Sequence, residues 1–517
     1  MKTKNRLYII LHIIIGIAAA AIVPAGVFFI QIPDYATIFS CSAFFITFIL
    51  CFKQVVQKPI RRIVLTALSL LVIIISILGN YCNPYWNSIN FKENISDCPL
   101  PINTMLTKKE AEEDLEYAMH YLKKLHPAFY KDIPAQVKQR YEAVLADFNK
   151  AETISICELS QKTEYIFSVM KDAHSYVKYR AEDPHYMKDI YQFNQKNDTI
   201  TAINGISLAD LLKQTEDLYS YEVESWQLKK LKNDLSSLEG LQYLGFSADE
   251  GITYTYESAD GTAKDYTYHT KDFLTYDAYV DYNQITDMEQ EEEPFVYYEI
   301  DPTKNLAILT LNSCNYNDEY TACLQEMFTK IKEAGIHNVA VDLRDNGGGN
   351  SLVADEFIRY LDADTWNTGS YKWRFGWFQI PSGNSTIENK KYHDLTFTGN
   401  VYILTSANSF SSAMLFSQYI KDNHMGTIIG EAPGNTPNGY GDIAMFTLPN
   451  SKLFMQISTK EFFRIDGNNP DNLIEPDIPC ASDNVMEILY ETINPVSSPL
   501  DSTLPMPYDV TNSPLPE

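Results

Sequence analysis

Two stretches of this 517-residue chain carry the residue types that acyl transfer needs, each at the end of an apolar run. Val339–Asn350, VAVDLRDNGGGN, passes from apolar residues through charges into three glycines. That order reads as a buried strand, a tight loop and a helix start. Ile403–Asn423, ILTSANSFSSAMLFSQYIKDN, has the same layout, with Ser406, Ser409, Ser411 and Ser412 where the glycines stood. Gly347, Gly348 and Gly349 have two readings. Backbone N–H groups at a helix start can cradle a phosphate, but no GK[ST] follows and no GxGxxG is present. The same groups can hold a developing oxyanion. Serines before a helix commonly cap it, and Ser409 is a candidate cap; another hydroxyl of the cluster is then a candidate nucleophile. A base is needed beside it. His174, in Asp172-Ala173-His174-Ser175, is a candidate because a neutral imidazole with a pKa of about 6.5 accepts protons at neutral pH.

Elements of alternating type surround these loops. LAILTL (from Leu306), VAVDL (from Val339), VYILT (from Val401), GTIIG (from Gly426) and Lys452–Ser458 read as strands. Glu319–Ala334, Asn350–Leu361 and Ser411–Asn423 read as helices, so a mostly parallel sheet covered by helices is expected. Upstream, Leu106–Asp147 is helical, with Thr107 and Glu110 spaced as a capping box and a break at His126-Pro127. Ser155–Met170 is a further helix. Asp198–Leu212 reads as strand, Asn-Gly turn and helix, loosely similar to the end of a PDZ-like module. Thr253–His269 reads as a hairpin around Asp260-Gly261.

The formal charge is −26, and residues 63–517 alone carry −32, because the first 62 residues are net positive. So acidic a body is a poor nucleic-acid binder. The eight cysteines show no CxxC pair and no metal-ligand spacing, and no cofactor motif is present. Cys82 with Cys98, or Cys314 with Cys323, could form disulfides outside the cell.

Three apolar runs, Leu7–Ile32, Tyr35–Phe52 and Ile63–Leu78, predict three transmembrane helices. Lys2, Lys4 and Arg6, with Lys53–Arg62, predict a multi-pass cell-membrane protein whose N-terminus is cytoplasmic and whose remaining mass is extracellular. The expected organisation is a membrane domain over 1–86, a linker over 87–105, a helical cap over 106–171, a mixed α/β region over 172–300, an α/β core over 301–490 and a disordered tail over 491–517.

Asp342-Leu343-Arg344-Asp345-Asn346-Gly347-Gly348-Gly349 contains, complete, the Asp-Leu-Arg-x-Asn-x-Gly-Gly motif of the tail-specific (C-terminal processing) and tricorn-like serine peptidases. The chain resembles that family from about Leu106 to Ile488. The resemblance implies a crotonase/ClpP-like α/β core with a helical cap. It implies Ser411 as nucleophile, because the Gly430-Glu431 pair follows at the family's distance, and Gly348 and Ser412 N–H groups as the oxyanion hole. Tail-specific members take their base from a lysine about 25 residues after the serine; Thr436 stands there, so a Ser–Lys dyad is not expected. The tricorn-like branch takes a histidine from upstream, and His174 matches its place. The orienting carboxylate is expected before Pro476-Asp477-Ile478: Asp471, or alternatively Glu475 or Glu461. The implied activity is hydrolysis of peptides or protein tails by a membrane-embedded serine peptidase without a metal. The alternative is a non-catalytic binder of peptides or hydrophobic ligands, or a sensor, on the same fold.

Overall fold

A computed structural model describes residues 2–28, 34–55, 58–85, 87–90, 97–258, 260–285, 294–465 and 472–494. Its centre is a six-stranded sheet in the order Val296–Asp301, Leu306–Leu311, Asn338–Asp342, Asn400–Thr405, Thr427–Gly430, Ile478–Pro479. The first pair is antiparallel and the rest are parallel, as the alternation of strand and helix predicts. Period-2 burial sends successive residues to opposite faces. Leu309, Val339, Val341 and Ile403 pack with Phe328, Phe357 and Phe416 on one face. Leu306, Ala340, Leu404 and Ile429 pack with Val485 and Leu489 on the other.

A second, antiparallel sheet runs in the order Phe378–Ser382, Ser370–Phe375, Phe454–Phe463, Tyr440–Thr447. The short strand Tyr176–Lys178, from far upstream, adds to Phe454–Phe463 with Val177 opposite Met455. This pairing ties the cap side of the molecule to the core. The cap has the predicted helices, Lys108–Leu125, Ala135–Phe148 and Ile156–Ser168, and the Thr107/Glu110 capping box is formed. The chain turns at His126 into a short 3-10 segment, Pro127–Phe129. The following region holds a four-stranded sheet that includes Thr199–Ile203 and the hairpin Ile252–Glu257 with Ala263–Tyr268, plus the helix Leu208–Gln214.

The N-terminal expectation is corrected. Helices form at Lys2–Phe28, Asp34–Leu50 and Pro59–Cys82, but among the described residues no helix is long and apolar enough to cross a membrane. The 17 residues of Asp34–Leu50 reach only about 25 Å at 1.5 Å per residue, short of a hydrocarbon core of about 30 Å. Polar side chains of all three meet inside the bundle: His12 Nδ1 lies 2.8 Å from Thr47 Oγ1, and His12 Nε2 lies 3.1 Å from Ser69 Oγ. The three transmembrane helices, the membrane-embedded assignment and the multi-pass, extracellular placement are therefore withdrawn. Neither cysteine pairing that the sequence left open is formed, since Cys82, Cys98, Cys314 and Cys323 are all free thiols. Cys314 Sγ instead approaches Asn346 Oδ1 at 3.4 Å. The acidic loop at 289–293 and the tail from 495 lie outside the described residues.

Candidate active site

The two loops singled out in the sequence meet at the ends of adjacent parallel strands, Asn338–Asp342 and Asn400–Thr405. Their serines and asparagine lock them together. Ser409 Oγ donates to Leu343 O at 2.7 Å, and Ser406 Oγ donates to Arg344 O. Phe410 N–H donates to Asn346 O at 2.9 Å. Ser409 is thus a cross-loop tie, not the helix cap expected of it.

Ser411 follows at the head of the helix Ser412–Asp422, with φ +56° and ψ −117°. A residue other than glycine held at positive φ is strained, and such strain persists only where surrounding contacts enforce it. Here Asn435 Oδ1 accepts the Ser411 N–H at 2.6 Å. Gly348 makes room from the other side. With φ +101°, a Cβ added there would lie 2.6 Å from Ser411 Cβ and 2.8 Å from Phe410 O. Only glycine fits both that backbone angle and that approach.

The backbone donors differ from expectation in one respect. The Gly348 N–H is donated to Asn346 Oδ1 at 2.8 Å. Among the described residues, the N–H groups of Ser412 and Gly349 have no acceptor. Ser412 Oγ donates to Gly349 O at 2.7 Å, holding the two residues together.

A cleft of about 1020 Å³ brings His174, Ser411, Ser412, Gly349 and Asn435 to one space. The Phe410 ring lies between Trp226, stacked at 4.1 Å, and the His174 imidazole at 4.5 Å. His174 is 5% exposed, yet neither ring nitrogen has a hydrogen-bond partner. Burial lowers its pKa, with the Asp172 charge acting against that. Its backbone is fixed from both sides: its N–H donates to Asp172 Oδ1 at 2.9 Å, and its carbonyl accepts from Gln456 Nε2 at 2.9 Å.

Among the described residues, the carboxylates within 4.0 Å of the imidazole are Asp172 and Glu222, whose Oδ1 and Oε1 lie 3.9 and 4.0 Å from Nδ1. Burial alone would raise the pKa of Asp172. The His126 hydrogen bond at 3.1 Å and the two nearby imidazoles outweigh it and hold the value at about 2. Glu222 goes the other way. Burial first, then repulsion from Asp172, pushes it up to about 7 against hydrogen bonds from Thr436. Thr436 N and Oγ1 donate to Glu222 Oε2 at 2.7 and 2.6 Å, so the residue standing at the family lysine's place holds a carboxylate. Among the described residues, Asp172, His174 and Glu222 also form a group that could hold a metal ion.

The three carboxylates named from sequence lie elsewhere or cannot be placed. Glu461 pairs with Lys372 at 3.7 Å, Glu475 is exposed, and Asp471 falls outside the described residues. Asp172 stands two residues from His174 and could have been weighed from the sequence. Glu222 and Asn435 lie in loops with no pattern that marks them. Trp226 sits on the short helix Glu224–Leu235, where an aromatic reads as packing.

Residues 305–480 match the sequence model of Peptidase family S41. Among solved structures, mature CPAF is similar at 12% identity and a TM-score of 0.55, over 75% of this chain and 96% of that one. Mature CPAF complexed with lactacystin gives 13% and 0.53, over 75% and 97%. The photosystem II D1 C-terminal processing protease gives 12% and 0.40, over 72% and 94%. The two CPAF structures show a similar fold over 75% of this chain. No curated protein sequence matches the chain.

Proposed function

Since residues 305–480 carry the core of a family S41 serine peptidase, we propose that Ser411 is its nucleophile, His174 its base, and Asp172 with Glu222 the carboxylates that bias the imidazole. The observation that carries the reading is Ser411 itself, a serine held at φ +56° at a helix start, against Gly348, in the cleft that His174 lines. The substrate class is a peptide or protein segment.

The Nδ1 of His174 faces the two carboxylates, which leaves Nε2 for the Ser411 hydroxyl. No hydrogen bond joins them in this arrangement, so the contact forms when substrate closes the cleft. His174 then takes the Ser411 proton as Oγ attacks the peptide carbonyl. The Ser412 N–H receives the oxyanion, joined by Gly349 or by Gly348 once it leaves Asn346. The partial positive charge at the start of the Ser412–Asp422 helix adds to that field. Protonated His174 gives its proton to the leaving amine, and water hydrolyses the acyl-enzyme by the same groups. The negative charges of Asp172 and Glu222 stabilise the imidazolium that forms between these steps.

A second reading, a peptide binder that does not cleave, is favoured by two observations: the unbonded imidazole and the Gly348 N–H given to Asn346. A fluorophosphonate probe on wild type, Ser411→Ala and His174→Ala separates them. Labelling of wild type that both substitutions abolish is expected. Labelling that survives His174→Ala removes His174 from the reading, and a folded wild type that never labels supports the binder.

A further inference from the structure

Asp172, His174 and Glu222 offer three ligand atoms that all lie within 4.8 Å of one another. All three side chains are at most 6% exposed. Two metal–ligand bonds of about 2.1 Å at a tetrahedral angle span roughly 3.4 Å, so the separations of 3.9 and 4.0 Å from Nδ1 to the two carboxylates need close by only about half an ångström around an ion. A lone acidic pair would mean little. Here a second observation points to a ligand: the His174 ring is buried with both nitrogens free of partners, although a buried ring nitrogen normally has one. We propose that Asp172, His174 and Glu222 form a site for one divalent transition cation of the zinc class, and that an ion on Nδ1 leaves the ring proton on Nε2, so that the imidazole cannot take the Ser411 proton. The consequence for catalysis rests on the proposed function; the binding does not.

Three further features suit a cation. The carboxylates are oriented from behind, Asp172 Oδ2 by His126 Nε2 at 3.1 Å and Glu222 Oε2 by Thr436, as ligating carboxylates usually are. Two buried carboxylates within reach of one imidazole nitrogen repel each other, and a dication relieves that repulsion. One imidazole and two carboxylates leave a coordination position open, and His174 borders the cleft through which an ion and water can enter. Imidazole with carboxylates suits zinc or cobalt more than magnesium, which prefers an all-oxygen shell. Binding forms coordinate bonds only; Nδ1 of the imidazole and Glu222 give up any proton they hold to solvent.

The test uses the full chain, dialysed against chelator and titrated with Co²⁺ while its visible absorption is followed, then with Zn²⁺ in competition. Wild type and Ser411→Ala should each take up one ion per chain, since the hydroxyl is not a ligand. Glu222→Gln and His174→Asn should bind at least about 10-fold more weakly. His185→Ala, which removes the remote His185–Glu239 pair, should bind as wild type does. Should a ligand variant not fold, the imidazole nitrogen NMR shifts of His174 in Ser411→Ala on adding Zn²⁺ decide the matter. The proposal is overturned if folded wild type binds no ion by about 1 mM, a free energy near −4 kcal/mol. It is also overturned if folded Glu222→Gln or His174→Asn binds as tightly as wild type, or if those shifts do not move. If the ion binds but metal-free protein neither labels nor cleaves, the peptidase reading fails and the site stands.

Discussion

Across one cleft, the loop of the proposed nucleophile and the segment of the proposed base are held in opposite ways. Ser411 sits in a mesh of short contacts: Asn435 on its N–H, Gly348 against its Cβ, and Ser406 and Ser409 tying its loop to the glycine loop. All of these come from residues 342–435, on loops that follow neighbouring strands of one sheet. His174 has its backbone clamped by Asp172 and Gln456, but its ring is placed by packing against the tilted Phe410 ring and by charge. The contrast assigns rigidity to the group that must hold a strained angle and freedom to the group that must exchange protons. It also leaves the base, and not the nucleophile, open to capture by an ion.

Substitutions can break this contrast, beginning with the nucleophile. Ser411→Ala should abolish fluorophosphonate labelling and lower peptide hydrolysis by more than about 1,000-fold. Unchanged turnover would move the chemistry to another residue. Gly348→Ala should come next, with activity down about 100-fold and a stability cost of about 1–3 kcal/mol, because the new methyl meets Ser411 Cβ at 2.6 Å. A folded variant of wild-type activity would show that the approach of the loops is not needed.

On the base side the effects should be smaller and should show in pH dependence. Burial lowers the His174 pKa, and a base works only while deprotonated. Activity should therefore persist below the usual imidazole range of about 6.5 and fall as pH drops through the lowered value. Asp172→Asn removes a charge that raises that pKa, so the acid limb should move further down in pH while kcat falls about 10-fold or more. A purely structural Asp172 would lower kcat without moving the limb. Glu222→Gln should have the smallest effect on rate and a distinct effect on stability. A carboxyl raised from 4.5 to about 7 favours the folded state below its unfolded value, and that contribution is lost as pH rises through about 7. Chemical denaturation at about pH 5 and about pH 8 should then show the variant gaining on wild type at the higher pH. A constant difference would place Glu222 outside this linkage.

How far the site could be read in advance follows the same division. Gly347–Gly349 and Ser406–Ser412 announce themselves because a parallel strand ending in a loop and helix leaves a local imprint: an apolar run, then small residues, then helical spacing. The mostly parallel character of the sheet, the capping box at Thr107 and the turn at Asn204-Gly205 are legible for the same reason. The N-terminal segment was not. Hydropathy alone suggested three spans, and the helix lengths and the inward-facing His12, Thr47 and Ser69 emerge only when the helices pack. Whether the cysteines pair was not legible either, because proximity in sequence does not bring two sulfurs together.

By itself, then, the order of residues determined the α/β core, the serine and the glycines, because each depends on neighbours a few positions away. The tertiary structure alone decided the surroundings of His174. Tyr176–Lys178 pairs with Phe454–Phe463 across almost 280 residues, and that pairing sets the imidazole against Phe410. Glu222 reaches the same place from a loop, held by Thr436, 214 positions away. Pairing and burial between such distant segments follow from how the whole chain packs, and no local pattern carries them.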